Sequence, residues 1–141
     1  MEPRSDKVFV YGTLRRGFAL HSELKKVGAR YLGKGQILGR LFDLGEYPGA
    51  VRLTRTKGNI DGELYDLQNP VEQLAVLDEI EEYDPRSPKK SLFVRKKATV
   101  KLKDGGRVRA WVYFLPKKPR RGLMILSGNY ADARHGSSLA R

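Results

Sequence analysis

Residues 8–17 read VFVYGTLRRG, and the fold turns on this stretch. Val8, Phe9, Val10 and Tyr11 are β-branched or aromatic, too few for a helix and enough for a strand buried on both faces. Gly12 breaks the run, so a strand empties directly into a loop. Without a Cβ, Gly12 can take positive φ and lets another molecule approach the backbone, while Thr13 adds a hydroxyl. The amides that follow lack a ladder partner. Such a loop either holds an anion or carbonyl through its N–H groups or is an ordinary strand-to-loop corner.

Downstream, residues 19–27 (ALHSELKKV) predict a short helix with Leu20, Leu24 and Val27 on one side, ended by Gly28. Residues 29–44 carry three interspersed glycines in a β-rich stretch, the pattern of a strand that bends or bulges. Residues 46–49 (EYPG) supply a turn before a short strand over 50–53. Residues 59–67 (NIDGELYDL) alternate as a strand whose buried face the pattern leaves open.

The clearest helix begins at Asn69 as N-cap, with Pro70 in the first helical position and Glu72 placed to close a capping box. It runs to about Glu82, before a proline-bounded loop, Asp84 to Pro88. At about 100° per residue, Val71, Leu74, Ala75 and Leu77 form its sheet-facing stripe, and Glu81 projects between Leu74 and Leu77. Partial burial and a place in the last helical turn both raise the pKa of that carboxyl. It is then suited to proton exchange near neutral pH. The competing reading is a glutamate that pairs with an arginine such as Arg95 or frays into solvent.

The last region predicts a hairpin. Phe93 to Lys103 alternates, Asp104-Gly105-Gly106 turns the chain, and Arg107 to Phe114 returns. Arg95, Lys97, Lys101, Lys103, Arg107 and Arg109, with Trp111 and Tyr113, can share one basic outer face. That face reads either as phosphate contacts and stacking surfaces for nucleic acid, or as a solvated face or dimer contact. Residues 123–126 pack back, and 131–141 form a loose tail.

The net charge of +12 is local: residues 86–121 hold 14 Lys and Arg against one acid, Asp104, and the rest of the chain is near balance. With 141 residues, 40% hydrophobic, the chain is expected to be one domain over 1–141, with its core over about 8–130. It has no stretch of roughly 20 apolar residues and opens without a secretory pattern, so a cytoplasmic protein is expected. The absence of cysteine excludes thiol catalysis and Cys-based zinc sites. No metal or cofactor is implied.

YGTLRRG, Tyr47-Pro48-Gly49, Gly62, Leu77-Asp78-Glu79-Ile80-Glu81 and Phe93-Val94-Arg95 together resemble the γ-glutamylcyclotransferase-like family over about Val8 to Tyr130. The resemblance implies an α+β fold: a small mixed β-barrel of about six to seven strands with flanking helices, and a cavity between the YGTL loop and the glutamate helix. It implies an enzyme that releases an amine from a small-molecule γ-glutamyl substrate by attack of the substrate's own α-amine on its γ-carbonyl, giving 5-oxoproline. Glu81 would be the general acid/base, and Tyr11, Gly12, Thr13 and Leu14 the loop holding the glutamyl part. Arg95 would either orient Glu81 or bind a substrate carboxylate. A pocket that binds an amino-acid-like ligand without catalysis is the alternative, and the protein would be a monomer or homodimer. Three positions depart from the family pattern: Leu20 stands where asparagine is frequent, Glu82 where glycine is frequent, and Phe93 where tyrosine is common.

Overall fold

The computed structural model describes residues 6–52, 58–120 and 123–132. Among the described residues, seven strands and two α-helices follow one another as β1 (Asp6–Val10), α1 (His21–Val27), β2 (Arg30–Asp43), β3 (Pro48–Arg52), β4 (Asn59–Leu67), α2 (Pro70–Ile80), β5 (Val94–Leu102), β6 (Arg107–Phe114) and β7 (Leu123–Ile125), and residues 130–132 are helical where the description ends. A 3-10 turn, Pro88–Lys90, lies in the proline-bounded loop.

Five strands close a barrel in the order β2-β4-β1-β6-β5, and β5 returns to β2 through Gly35 opposite Leu102 and Gln36 opposite Lys101. All neighbours are antiparallel except β1 and β6. The far half of the long β2 leaves the barrel and pairs with β3 on one side and β7 on the other. A register shift between Tyr31 and Gly33 bends β2 into the closed sheet.

Alternation along β1 explains its run of apolar residues. Phe9 and Tyr11 join the barrel interior with Ile37, Leu64 and Val112, while Val8 and Val10 join an outer cluster with Leu24, Leu74 and Leu77 under the helices. Strand β4 does the same, sending Ile60 and Leu64 inward and Tyr65 and Leu67 outward. Its buried face is therefore both faces.

Several elements differ from the sequence expectation. Helix α1 starts at His21, because the Leu20 N–H donates to the Thr13 carbonyl (2.9 Å) and holds Ala19 and Leu20 in the loop. Pro48 and Gly49 belong to β3, paired with Asp43 and Phe42, and the turn lies earlier, where the Leu44 N–H donates to the Tyr47 carbonyl. The capping box at Glu72 does not form; the Asn69 N–H donates to Gln73 Oε1 at 2.8 Å, and Gln73 is buried. The buried stripe of α2 is rotated accordingly, to Gln73, Leu74, Leu77 and Asp78, leaving Val71 and Ala75 exposed. Leu53 and the tail beyond Asp132 lie outside the described residues.

Candidate active site

A hollow of about 250 Å³ opens where β1 ends. The Tyr11–Leu14 loop contributes one part of its wall, Ile80, Glu81 and Glu82 another, and Tyr47, Pro48, Phe93 and Tyr113 much of the rest. The exit of the first strand and the acid that caps α2 thus share one cavity.

Each wall has a local cause. Gly12 needs its missing Cβ for close approach rather than for positive φ: a Cβ there would lie 2.5 Å from Pro48 Cγ. Beyond it, the Arg15 N–H turns back to the Gly12 carbonyl (3.0 Å), while the amides of Gly12, Thr13 and Leu14 donate to no group among the described residues. Buried Glu63 ties the loop down, its Oε1 accepting the Arg16 N–H (3.0 Å) and the Tyr65 hydroxyl (2.9 Å). Tyr11 is a fixed wall, since its hydroxyl donates to the Tyr113 carbonyl (2.6 Å) and accepts the Ala50 N–H (3.1 Å).

Glu81 is the C-cap of α2, and the end of the helix is a Schellman turn. Glu82 follows with φ of 54°, the Glu82 N–H donates to the Glu79 carbonyl (3.2 Å), and the Tyr83 N–H to the Asp78 carbonyl (2.8 Å). This geometry stops the helix one residue before Glu81 without releasing it to solvent. No hydrogen bond or ion pair among the described residues engages its carboxylate. Burial, and next the neighbouring charge of Glu82, push its pKa up to about 7. Its charge adds to burial in raising the pKa values of the Tyr11 and Tyr113 phenols.

The pairing of Glu81 with Arg95 is not made. Arg95 forms a two-pronged bridge to Asp78, one turn earlier on α2, through Nε to Oδ1 (2.7 Å) and Nη2 to Oδ2 (3.0 Å). Asp78 Oδ1 also accepts the Tyr113 hydroxyl at 2.7 Å. The guanidinium further stacks 4.5 Å from the Trp111 ring centre, so Arg95 stands behind the wall rather than in it. The sequence reading puts Tyr113 on the basic outer face as a stacking surface; instead it is buried in the cluster under the helices and lines the hollow, so it offers nothing for stacking, and Asp78 enters that reading only as part of the Leu77-to-Glu81 motif. The available signal was Asp78 itself, an acid that projects between Leu74 and Val71, within the sheet-facing stripe of the same helix.

On the basic hairpin, Arg95 is held by Asp78 and Lys97 by Asp6 (3.4 Å), while Lys101, Lys103, Arg107 and Arg109 make no ion pair among the described residues. Leu20, Glu82 and Phe93, the three departures from the family pattern, all line the hollow. Among the described residues, no helix is long and apolar enough to cross a membrane.

A closed mixed barrel, a glycine loop at the mouth of its first strand and the shielded carboxyl of Glu81 in the same hollow define a small barrel protein with an acid-bearing pocket. The chain belongs to the gamma-glutamyl cyclotransferase, AIG2-like, family, whose model matches residues 8–132. It is 29% identical over 128 residues to a Methanocaldococcus jannaschii protein provisionally named as a γ-glutamylcyclotransferase, covering 90% of this chain and 97% of the other. It is 36% identical over 108 residues to the γ-L-glutamyl-butirosin B γ-glutamyl cyclotransferase of Niallia circulans, covering 75% of this chain and 64% of that one. The crystal structure of a mouse AIG2-like protein superposes with a TM-score of 0.75 at 23% identity, covering 94% and 93% of the two chains, a likeness of fold.

Proposed function

We propose that the protein is a cofactor-independent γ-glutamyl cyclotransferase in which Glu81 is the general acid/base. The observation that carries this is a carboxyl with no partner among the described residues, titrating near neutrality, in a hollow also lined by Gly12, Thr13 and Leu14, whose amides donate to no described group.

In the proposed reaction the amides of Gly12, Thr13 and Leu14 hold the glutamyl part. The Glu81 carboxylate takes a proton from the α-ammonium, and the freed nitrogen pair forms a bond to the γ-carbonyl carbon. Collapse of the tetrahedral centre breaks the γ-carbon to nitrogen bond. Two protons pass in turn from the α-nitrogen through Glu81 to the departing nitrogen, so the ring nitrogen keeps one hydrogen and the amine leaves as an ammonium. Glu81 ends in its starting form, and no water is consumed. Because ring closure is intramolecular, orientation supplies much of the acceleration and a chain without cysteine suffices. Arg95 acts through Asp78 and Tyr113, shaping the wall.

Purified protein incubated with γ-glutamyl alkylamides and γ-glutamyl amino acids should release 5-oxoproline, and Glu81→Gln should lower the rate by a factor of about 10² to 10⁴ while keeping the fold. Undiminished product from Glu81→Gln would remove that residue from the reaction. Binding without product in the wild type would assign the hollow to ligand binding alone.

A further inference from the structure

A second cavity, of about 450 Å³, lies at the seam where β2 meets β5 to close the barrel. Four cations converge on it from three parts of the chain: Arg15 from the first loop, Lys34 from β2, and Lys101 and Lys103 at the end of β5. Its one acid, Asp61, already accepts Gln36 Nε2 at 2.6 Å. None of the four cations makes an ion pair among the described residues. Arg15 is the most constrained of them. Its Nη1 donates to Asn129 Oδ1 (3.0 Å), its guanidinium lies 5.7 Å from the Phe18 ring centre, and its Nε is buried with no hydrogen-bond partner among the described residues.

Like charge gathered around one concave space is costly. An oxyanion in the cavity offsets it. The excess of three positive charges over one occupied carboxylate favours a group carrying two or more negative charges in compact form. A single carboxylate compensates less of that charge, and a phosphodiester carries only one charge per group. We infer that the seam cavity is a binding site for the phosphoryl or pyrophosphoryl group of a small molecule, with the half-buried Arg15 fixed in its wall and Lys34, Lys101 and Lys103 as its rim. The site is separate from the Glu81 hollow and does not depend on the reaction proposed there.

Calorimetric titration of the full chain with pyrophosphate tests this. One-to-one binding is expected, weakened about tenfold or more in Lys34→Ala/Lys101→Ala, two exposed positions whose loss leaves the core intact. Arg107→Ala/Arg109→Ala removes the same charge from outside the cavity and should change the affinity less than about twofold. Arg15→Lys keeps the charge but loses the guanidinium fork, and at an unchanged melting temperature should also weaken binding. A dinucleotide phosphodiester should bind at least about tenfold more weakly than pyrophosphate. Absence of saturable binding at millimolar pyrophosphate would overturn the site. So would equal weakening by the two double substitutions, which marks diffuse surface charge, or equal affinity for the diester, which points to a nucleic-acid strand.

Discussion

Tyr113 donates its hydroxyl to Asp78 Oδ1 at 2.7 Å, and the same oxygen accepts Arg95 Nε at 2.7 Å. One buried carboxylate thereby joins the wall of the hollow to helix α2 and to strand β5. The side chains of Arg95 and Asp78 are only 16% and 10% exposed, so the bridge is weakly screened, and removing one partner leaves the other charge stranded. Asp78→Ala should cost about 3 kcal/mol or more in urea unfolding. Tyr113→Phe should cost about 2 kcal/mol, the worth of a hydrogen bond to a charged group. Because that hydroxyl is already committed to Asp78, Tyr113→Phe should hold kcat within about threefold at temperatures where the variant is folded.

Glu81 gives stability a pH dependence of definite sign. Its pKa rises from 4.5 to about 7 on folding, so the folded state binds the proton more tightly than the unfolded state. The stabilisation is fully present below pH 4.5, falls as pH rises through the interval to about 7, and is gone above it. The swing is about 3 kcal/mol. Glu81→Gln should therefore be more stable than the wild type at pH 8 by up to about 3 kcal/mol, with the gap closing toward pH 4. Urea unfolding at the two pH values measures it. A carboxylate free in solvent would show no such difference.

The parts of the site legible in sequence are those fixed by local periodicity. The strand-to-loop junction at Tyr11-Gly12 and the inward projection of Glu81 follow from patterns within about ten residues. What was hidden depends on partners far along the chain. Arg95 and Tyr113 reach Asp78 only because β5 and β6 lie against α2, 17 and 35 positions away. The rotation of α2 that exposes Val71 follows from the burial of Gln73, whose side chain spans the Asn69 N–H, the Gln68 side chain and the Val27 carbonyl. A hydrophobicity pattern ranks valine above glutamine and cannot register those hydrogen bonds.

Glu82 occupies a left-handed position, φ 54°, where glycine carries no Cβ penalty and other L-residues do. It also raises the pKa of Glu81. The two effects separate by substitution. Glu82→Gln removes the charge and keeps the strain, so the alkaline-rising limb of kcat/KM should move to lower pH by about half a unit with little change in melting temperature. Glu82→Gly should shift the limb equally and add several tenths to about 1 kcal/mol of stability, the relief of strain less the entropy of a glycine.

Gly12 and Pro48 set how close β3 lies to the loop that faces Glu81. A Cβ on residue 12 would stand 2.5 Å from Pro48 Cγ and 3.0 Å from Pro48 Cδ, and both are atoms of a ring that cannot rotate away. Gly12→Ala must therefore displace either the loop or the start of β3, at a cost of about 1–3 kcal/mol, as overpacking does elsewhere. The displacement falls where Gly12, Thr13 and Leu14 line the hollow, so substrate positioning suffers together with stability. Assayed well below its melting temperature, Gly12→Ala should lose about tenfold or more in kcat/KM for 5-oxoproline release, while the Glu81 limb of the pH profile stays near pH 7. An unmoved limb separates a misplaced substrate from a disturbed acid, because only the latter changes the burial that sets the Glu81 pKa.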